Sequence, residues 1–506
     1  MLSFRNTQGG VKDLQVIRPG HDWRNPPMFT QAFLDHVAHL GVLRTQEWTL
    51  PLSLNAANPW EARPTPVTAR TAGQSSLGLP WEYVIALANA TGKDLWVNVP
   101  ADLDATYAQG VAALLQSGLT GTGKVYIEIG HENWNPAFSA YQRLRNEARA
   151  SLGLPSTAGG ADVEAEVRRL LFNRQLVLND ALKAAFGPEA FLSRVRPVLG
   201  VASTQPAGTQ AMLQLAKAQG QEPGQVWYAM AQGVFVDLMS QKTSTSLSSV
   251  DVLGLLDQSA AQLPVALQYE NHLVMARKAG LAWFAYDGGI DTYGSPSLTA
   301  KVQAQRDPAM QGICESMLRG WSTAGGDLFM WYHVGAQPMT SQYDMWGVSE
   351  RLSDLEAPKF KCLKNIAAEV LPQRQSRHVL PGSFSAAEAV PSSMPAAAVV
   401  FLSGGAERDY VINAPSAGCF VLSVQTQVSA GSTSPRTAGL QALIDGQPQG
   451  SSASHTMAEG ASQEVVTLPL GQVCLSAGLH ALTLKAAPAP AADLRLQQVD
   501  WVTAPQ

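Results

Sequence analysis

The sequence predicts an α/β protein: a (β/α)8 TIM barrel followed by an all-β sandwich domain. Three observations predict it. Short β-branched or apolar runs alternate with longer helix-like stretches as far as about residue 370; the alternation makes eight strand–helix units; and beyond about residue 380 only short strands and turn signals remain. A chain of 506 residues, 46% of them hydrophobic, is long enough for two domains with substantial cores. The expected boundaries are 1–375 for the barrel and 380–506 for the sandwich.

The eight expected barrel strands are "VKDLQVI" (11–17), "VLRTQEW" (42–48), "DLWVNVP" (94–100), "KVYIEIG" (124–130), "RVRPVLGV" (194–201), "VDVLGLL" (250–256), "LAWFAYD" (281–287) and "DLFMWYH" (327–333). Between them, stretches such as "PWEYVIALANA" and "ATYAQGVAALLQSGL" carry apolar residues at helical spacing. An open doubly wound sheet has the same rhythm, but no Gly-rich phosphate loop follows the first expected strand. Past His378 the composition shifts to Ala, Ser, Gly and Pro. There "CFVLSVQTQV", "LQALIDGQ" and "HALTLKAA" alternate as strands between turns.

Charge and cysteine content narrow the partners. Lys and Arg total 35 against 40 Asp and Glu, a net charge of −5, and no basic run tracks a phosphate backbone, so nucleic acid is excluded as a partner. No apolar segment reaches the roughly 20 residues that span a bilayer, and "MLSFRNTQGG" has no apolar signal core. Cys314, Cys362, Cys419 and Cys474 lack metal-ligand spacing, so neither a metal nor another cofactor is expected. One disulfide per domain stays open. If both form, the protein works in an oxidising compartment, secreted or extracytoplasmic.

In a barrel, strand C-termini converge on one pocket. Glu132 stands just past the fourth expected strand in "VYIEIGHENWNPAF", flanked by His131 and Asn133, with Trp134 as an apolar wall. A carboxyl beside apolar surface can hold a proton near neutral pH; equally, Glu132 can cap the helix beginning near Pro136. "WFAYDGGID" sets Asp287 at the end of the seventh strand, where an Asp-Gly turn is the plainer alternative. Together the two carboxyls meet the requirement of glycoside cleavage, in which one protonates the leaving oxygen and the other attacks or stabilises the anomeric carbon. Trp48, Trp81, Trp331 and Trp346 are candidates to stack on sugar faces. Glu47 and Arg63 are candidates to bind hydroxyls, an internal salt bridge being the alternative for both, and Asp257 and Asp291 are reserve carboxylates.

These motifs resemble the retaining TIM-barrel glycoside hydrolases with the acid/base on strand four and the nucleophile on strand seven. More narrowly they resemble a bacterial group with an "E-x-x-N-E-x-W-N" signature, here "EIGHENWN". "LRTQEWTL", the Trp60–Pro66 stretch, "YDGG", "YDMWGVSE" and "APKFKCL" extend the likeness over roughly residues 11–370. The resemblance implies hydrolysis of a polysaccharide or oligosaccharide. It places Glu132 as acid/base and Asp287 at the nucleophile position, has Asn133 and Trp134 shape the sugar subsite, and sets Trp331 under the reactive sugar. Two positions depart from the pattern: His131 replaces the usual Asn, and Asp287 the usual Glu. A non-catalytic carbohydrate-binding protein derived from such a barrel is the alternative. "FSAAEA", "RDYVINAPSAGCFVLSV" and "LSAGLHALTL" resemble galactose-binding-like carbohydrate-binding modules, although Tyr410, Phe420 and Trp501 there read as core.

Overall fold

Seven parallel strands run in sequence order: β1 Val42–Arg44, β2 Asp94–Val99, β3 Val125–Ile129, β4 Val195–Val201, β5 Ala229–Asp237, β6 Ala282–Asp291 and β7 Leu328–Trp331. Each hydrogen-bonds to the next, and β7 returns against β1, so the sheet is nearly closed as a barrel. This computed structural model describes residues 5, 7–10, 17, 20–22, 24–49, 59–68, 78–369, 382–385, 401–402, 405–414, 416–429, 437–458, 460–487 and 493–503. Apart from Ile17, the strand expected at 11–17 lies outside them.

Strand alternation sorts the side chains into two layers. Trp96, Tyr126, Val198, Ala231, Phe284, Tyr286 and Met330 fill the barrel interior. Their strand neighbours Leu95, Val97, Val125 and Ile127 pack outward on the helices, as do Met230, Trp283 and Ala285 on the other side of the sheet.

One expected strand is wrong. Residues 250–256 lie in the helix Ser249–Ala266, and the strand of that region is β5. Ser248 and Asp251 form a reciprocal cap at the helix start, and Val252, Leu256, Ala260 and Leu263 recur at helical spacing on its buried side. In β5, Gln232 and Gly233 interrupt the apolar run and disguise the strand. Tertiary packing gives Gln232 one partner, its Oε1 accepting from Trp283 Nε1 at 3.3 Å, while its Nε2 is buried without a partner among the described residues.

The C-terminal strands are antiparallel and form two sheets. One has the order β10 (Glu407–Ala414), β15 (Gly478–Ala486), β12 (Thr437–Ile444), β13 (Gln447–Thr456). The other runs β14 (Gln463–Leu475), β11 (Gly418–Ser429), β16 (Asp493–Thr503), β8 (Gly382–Ser385), with β9 (Phe401–Leu402) also on β16. Tyr410 and Phe420 are buried between the sheets. Leu479 packs into the barrel's outer cluster, and Lys278 reaches Glu407 and Asp409 at 3.0 and 3.1 Å. Disulfides join Cys314 to Cys362 on the barrel side and Cys419 to Cys474 across β11 and β14. Among the described residues no helix is long and apolar enough to cross a membrane.

Candidate active site

The polar centre begins with inward positions at the C-terminal ends of β1, β2 and β3. Glu128 is 1% exposed, and its Oε2 accepts from Arg44 Nη2 at 3.1 Å, Trp96 Nε1 at 3.1 Å and Asn98 Nδ2 at 2.9 Å. Burial holds the Glu128 carboxyl above its ordinary value even though Arg44 and the other donors pull it down. Gly200 on β4 makes room, because a Cβ there would stand 2.7 Å from Glu128 Oε1. Arg44 also lies over the Trp96 and Tyr286 rings, at 5.5 and 5.6 Å.

Past Ile129 the backbone turns sharply. Gly130 has φ 68°, and a Cβ there would sit 2.0 Å from Asn133 Oδ1, so only glycine fits. Glu132 itself takes φ 46°, a left-handed conformation uncommon outside glycine and asparagine. Asn98 Nδ2 donates to Gly130 O at 2.6 Å and Asn133 Nδ2 to Ile129 O at 2.7 Å, which pins the turn at both ends. Glu132 thereby faces the mouth, accepting from Tyr286 Oη at 3.0 Å and from Asn135 Nδ2 at 2.7 Å. It caps no helix there: the next one, Ser139–Ser151, begins seven positions on.

Asp287 arrives by a different device. β6 does not end at Asp287 but runs on to Asp291, and its pairing with β5 slips between Gln232–Ala285 and Gly233–Asp287. The extra residue is a bulge at Tyr286, which lets both Tyr286 and Asp287 face the site. Gly233 leaves space for them, its Cβ position being 3.4 Å from Asp287 Oδ1 and from Tyr286 Oη. Asp287 is 7% exposed, and its Oδ1 is buried without a hydrogen-bond partner among the described residues. Burial first, then the charges of Glu132 and Glu128, push its carboxyl up to about 8 against the pull of Arg44.

His131 connects the two halves. Its Nδ1 lies 3.1 Å from Arg44 Nη2, and because a guanidinium only donates, Nδ1 accepts. Burial and the Arg44 charge push this ring well below its ordinary pKa, so it is neutral and carries its proton on Nε2, 3.8 Å from Asp287 Oδ2. A His131 ring nitrogen, a Glu132 oxygen and an Asp287 oxygen all lie within 4.8 Å of one another. A divalent cation would need an Nε2 lone pair that this tautomer lacks, and Arg44 already supplies positive charge beside it.

The remaining candidates scatter. A cavity of about 630 Å³ opens at the seam between β1 and β7 and is lined by Arg44, Glu47, Trp48, Asp287, Trp331 and Tyr332 among others. Burial, then the charges of Glu47 and Asp287, push the Tyr332 hydroxyl up to about 12, which leaves it a donor at neutral pH. Trp331 was expected to face the barrel mouth; instead Leu328 and Met330 point inward and Trp331, with Phe329, packs on the helix-facing side. Trp134 is not in the same cleft. It lines a separate cavity of about 370 Å³ outside β3 and β4, together with Asn133 and Trp227. Arg63 pairs with Glu82 at 2.9 Å and stacks on Trp60, Trp81 is 2% exposed core, and Asp257 lies on the exposed side of a helix. Sequence reasoning missed Arg44, Asn98, Glu128, Tyr286 and Tyr332. The available signal was a polar residue at an inward position of an otherwise apolar strand, as in "DLWVNV" and "VYIEI".

No protein-family model matches the chain, and no curated protein matches its sequence. Among solved structures it is similar to AbfB, a family 51 α-L-arabinofuranosidase from Bifidobacterium longum, at TM-score 0.42 and 12% identity over 92% of each chain. It is similar also to an isomalto-dextranase of Arthrobacter globiformis T6, at TM-score 0.42 and 11% identity, over 93% of this chain and 92% of that one. A family 35 carbohydrate-binding module from Clostridium thermocellum aligns with 19% of this chain and 70% of its own, at TM-score 0.15 and 19% identity. These neighbours are glycoside hydrolases and a sugar-binding module; the barrel itself follows from this chain's own strand order and register.

Proposed function

We propose that this chain is a glycoside hydrolase acting on a polysaccharide or oligosaccharide through the Glu132–Asp287 pair. The observation that carries the reading is their approach: carboxylate oxygens within 4.8 Å, one on the turn after β3 and one on β6, at the C-terminal mouth of a parallel barrel. Retaining glycosidases hold the pair about 5–5.5 Å apart, whereas inverting ones need about 6.5–9.5 Å to admit a water. In the retaining cycle one carboxyl protonates the glycosidic oxygen as the C1–O bond breaks, and the other carboxylate bonds to C1. Water, deprotonated by the first residue, then releases the sugar with the original anomeric configuration. The likeness to the strand-four and strand-seven glycosidases makes Glu132 the acid/base and Asp287 the nucleophile. On that assignment His131 Nε2–H is a donor available to a sugar hydroxyl or to Asp287, the task an Asn amide performs in the usual pattern. Two disulfides accord with work outside the cytoplasm.

Burial favours a second assignment with the roles exchanged. The carboxyl that burial raises is Asp287, while both Glu132 oxygens are occupied as acceptors. Azide rescue of Glu132→Ala and Asp287→Ala on an activated aryl glycoside separates the two. Azide attacks in place of a missing nucleophile and gives an inverted glycosyl azide, whereas in place of a missing acid/base it gives a retained one. Full turnover in both variants would end the proposal, and tight glycan binding without turnover by the intact protein would leave a carbohydrate-binding barrel in its place.

A further inference from the structure

An aromatic run leads away from the carboxyl pair. Tyr332, which lines the Asp287 cavity, meets the Trp346 ring at 5.9 Å and 64°. Trp346 lies parallel to Tyr293, at 5.9 Å with only 10° between the planes, and Tyr293 meets Tyr343 at 5.5 Å. The run opens progressively: Trp346 is half-buried, Tyr293 is 45% exposed and Tyr343 56%. Exposed rings that touch one another make a contiguous patch rather than scattered single side chains, and such patches mark binding surfaces.

The rings are held, not loose. Thr292 Oγ1 lies 3.1 Å from the sulfur of Met345, which is 1% exposed, and the buried Lys359 Nζ donates to Met345 O at 2.8 Å. Met345 thus anchors its neighbour Trp346, and Thr292 its neighbour Tyr293. At the edge, Asp291 Oδ1 accepts from Tyr293 N at 2.9 Å, and Asp344 Oδ2 accepts from Thr340 N at 3.1 Å and Thr340 Oγ1 at 2.8 Å. A rigid aromatic face, its rings near parallel at Trp346–Tyr293 and tilted by 64° and 52° on either side, with hydroxyls and carboxylates along its margin, suits a ligand that is apolar on one face and polyhydroxylated around its rim.

We infer that Tyr332, Trp346, Tyr293 and Tyr343 form a track that binds successive pyranose rings of a glycan chain outward from the Glu132–Asp287 pair. The inference rests on the glycan-acting reading and deepens it: the substrate is an extended oligosaccharide or polysaccharide, not a small glycoside. Continuity commits the face to this occupant, because the track leaves the reaction cavity at Tyr332 without a break.

The test uses the full chain with graded cello-, xylo- and isomalto-oligosaccharides and short aryl glycosides of the same sugars. Tyr343→Ala and Tyr293→Ala are expected to raise KM, or the binding Kd, roughly tenfold for the longer members only, the loss of about one aromatic contact. Turnover of the short glycosides stays as in the parent. Equal effects on long and short substrates, or no effect on either, would overturn the track while leaving the hydrolase reading intact. Length-dependent binding that falls in the variants, with no turnover of any substrate, would sink the hydrolase reading and keep the track. If no member binds, the track is wrong. Sedimentation showing a dimer that Tyr343→Ala disperses would assign the face to self-association instead.

Discussion

The ends of β3 and β6 solve the same problem in opposite ways. Each must bring a carboxyl to the barrel mouth. β3 stops at Ile129 and lets a turn do the work, with Gly130 at φ 68° and Glu132 at φ 46°, and the carboxyl is held by hydrogen bonds from Tyr286 and Asn135. β6 keeps its ladder through Asp291 and re-aims one residue by a bulge, leaving Asp287 buried with one oxygen unpartnered. The difference teaches where each group's chemistry comes from: local backbone and its donors at Glu132, and the low dielectric of the packed strand at Asp287.

The largest effect should come from the carboxyls themselves. Asp287→Ala and Glu132→Gln should each lower kcat by about 10²–10⁴-fold on a turned-over glycoside, with circular dichroism unchanged. A drop in one variant only would show that the two ends are not a pair. Next, Arg44→Met leaves Glu128 buried without its cation, and chemical denaturation should read a loss of about 3–5 kcal/mol. Adding Glu128→Leu should restore most of it, since a well-packed apolar pair is nearly neutral; no recovery would mean that Arg44 acts chiefly on His131.

The backbone devices can be compared directly. A Cβ at Gly288 would stand 2.1 Å from Val234 O and 2.5 Å from Phe329 Cζ, so Gly288→Ala must displace β6 against both neighbours. It should cost about 1–3 kcal/mol and lower kcat with it. Gly130→Ala should cost at least about 1–2 kcal/mol, through its left-handed φ and the displacement of Asn133, and disturb the Glu132 turn alone. Equal losses of activity with unequal losses of stability would support the contrast.

The smallest signature is a pH slope. Asp287 holds its proton up to about 8 in the folded protein, but an unfolded Asp releases it near 4, so between these values the native state binds more protons. Stability should therefore fall as pH rises from about 4 to about 8, and Asp287→Asn should flatten that part of the Tm profile. If Asp287 is the nucleophile, kcat/KM rises with pH towards 8 in the free enzyme; if it is the acid, activity falls above 8.

Much was legible because it depended on local pattern. The short apolar runs at 94–99, 125–129 and 195–201 and the change to all-β texture in the C-terminal region are written in neighbouring residues. So were Glu132 and Asp287, carboxyls where strands meet the mouth. The strand "AMAQGVFVD" was not, because Gln232 and Gly233 break the apolar run and the partner of Gln232, Trp283, comes from another strand. Trp331 and Trp134 illustrate the limit most sharply. Which face of a strand or turn a ring takes depends on register, and register is set by neighbours far off in sequence. The bulge at Tyr286 is likewise a property of β5, β6 and β7 together, and so is the charge balance among Arg44, Glu128, His131 and Asp287, which come from three strands and a turn. The sequence by itself therefore determined the layers and supplied the carboxyls at the strand ends, since periodicity and composition are local. Only the tertiary structure decided which of those groups meet, and with which proton, because distance and burial arise when remote segments pack.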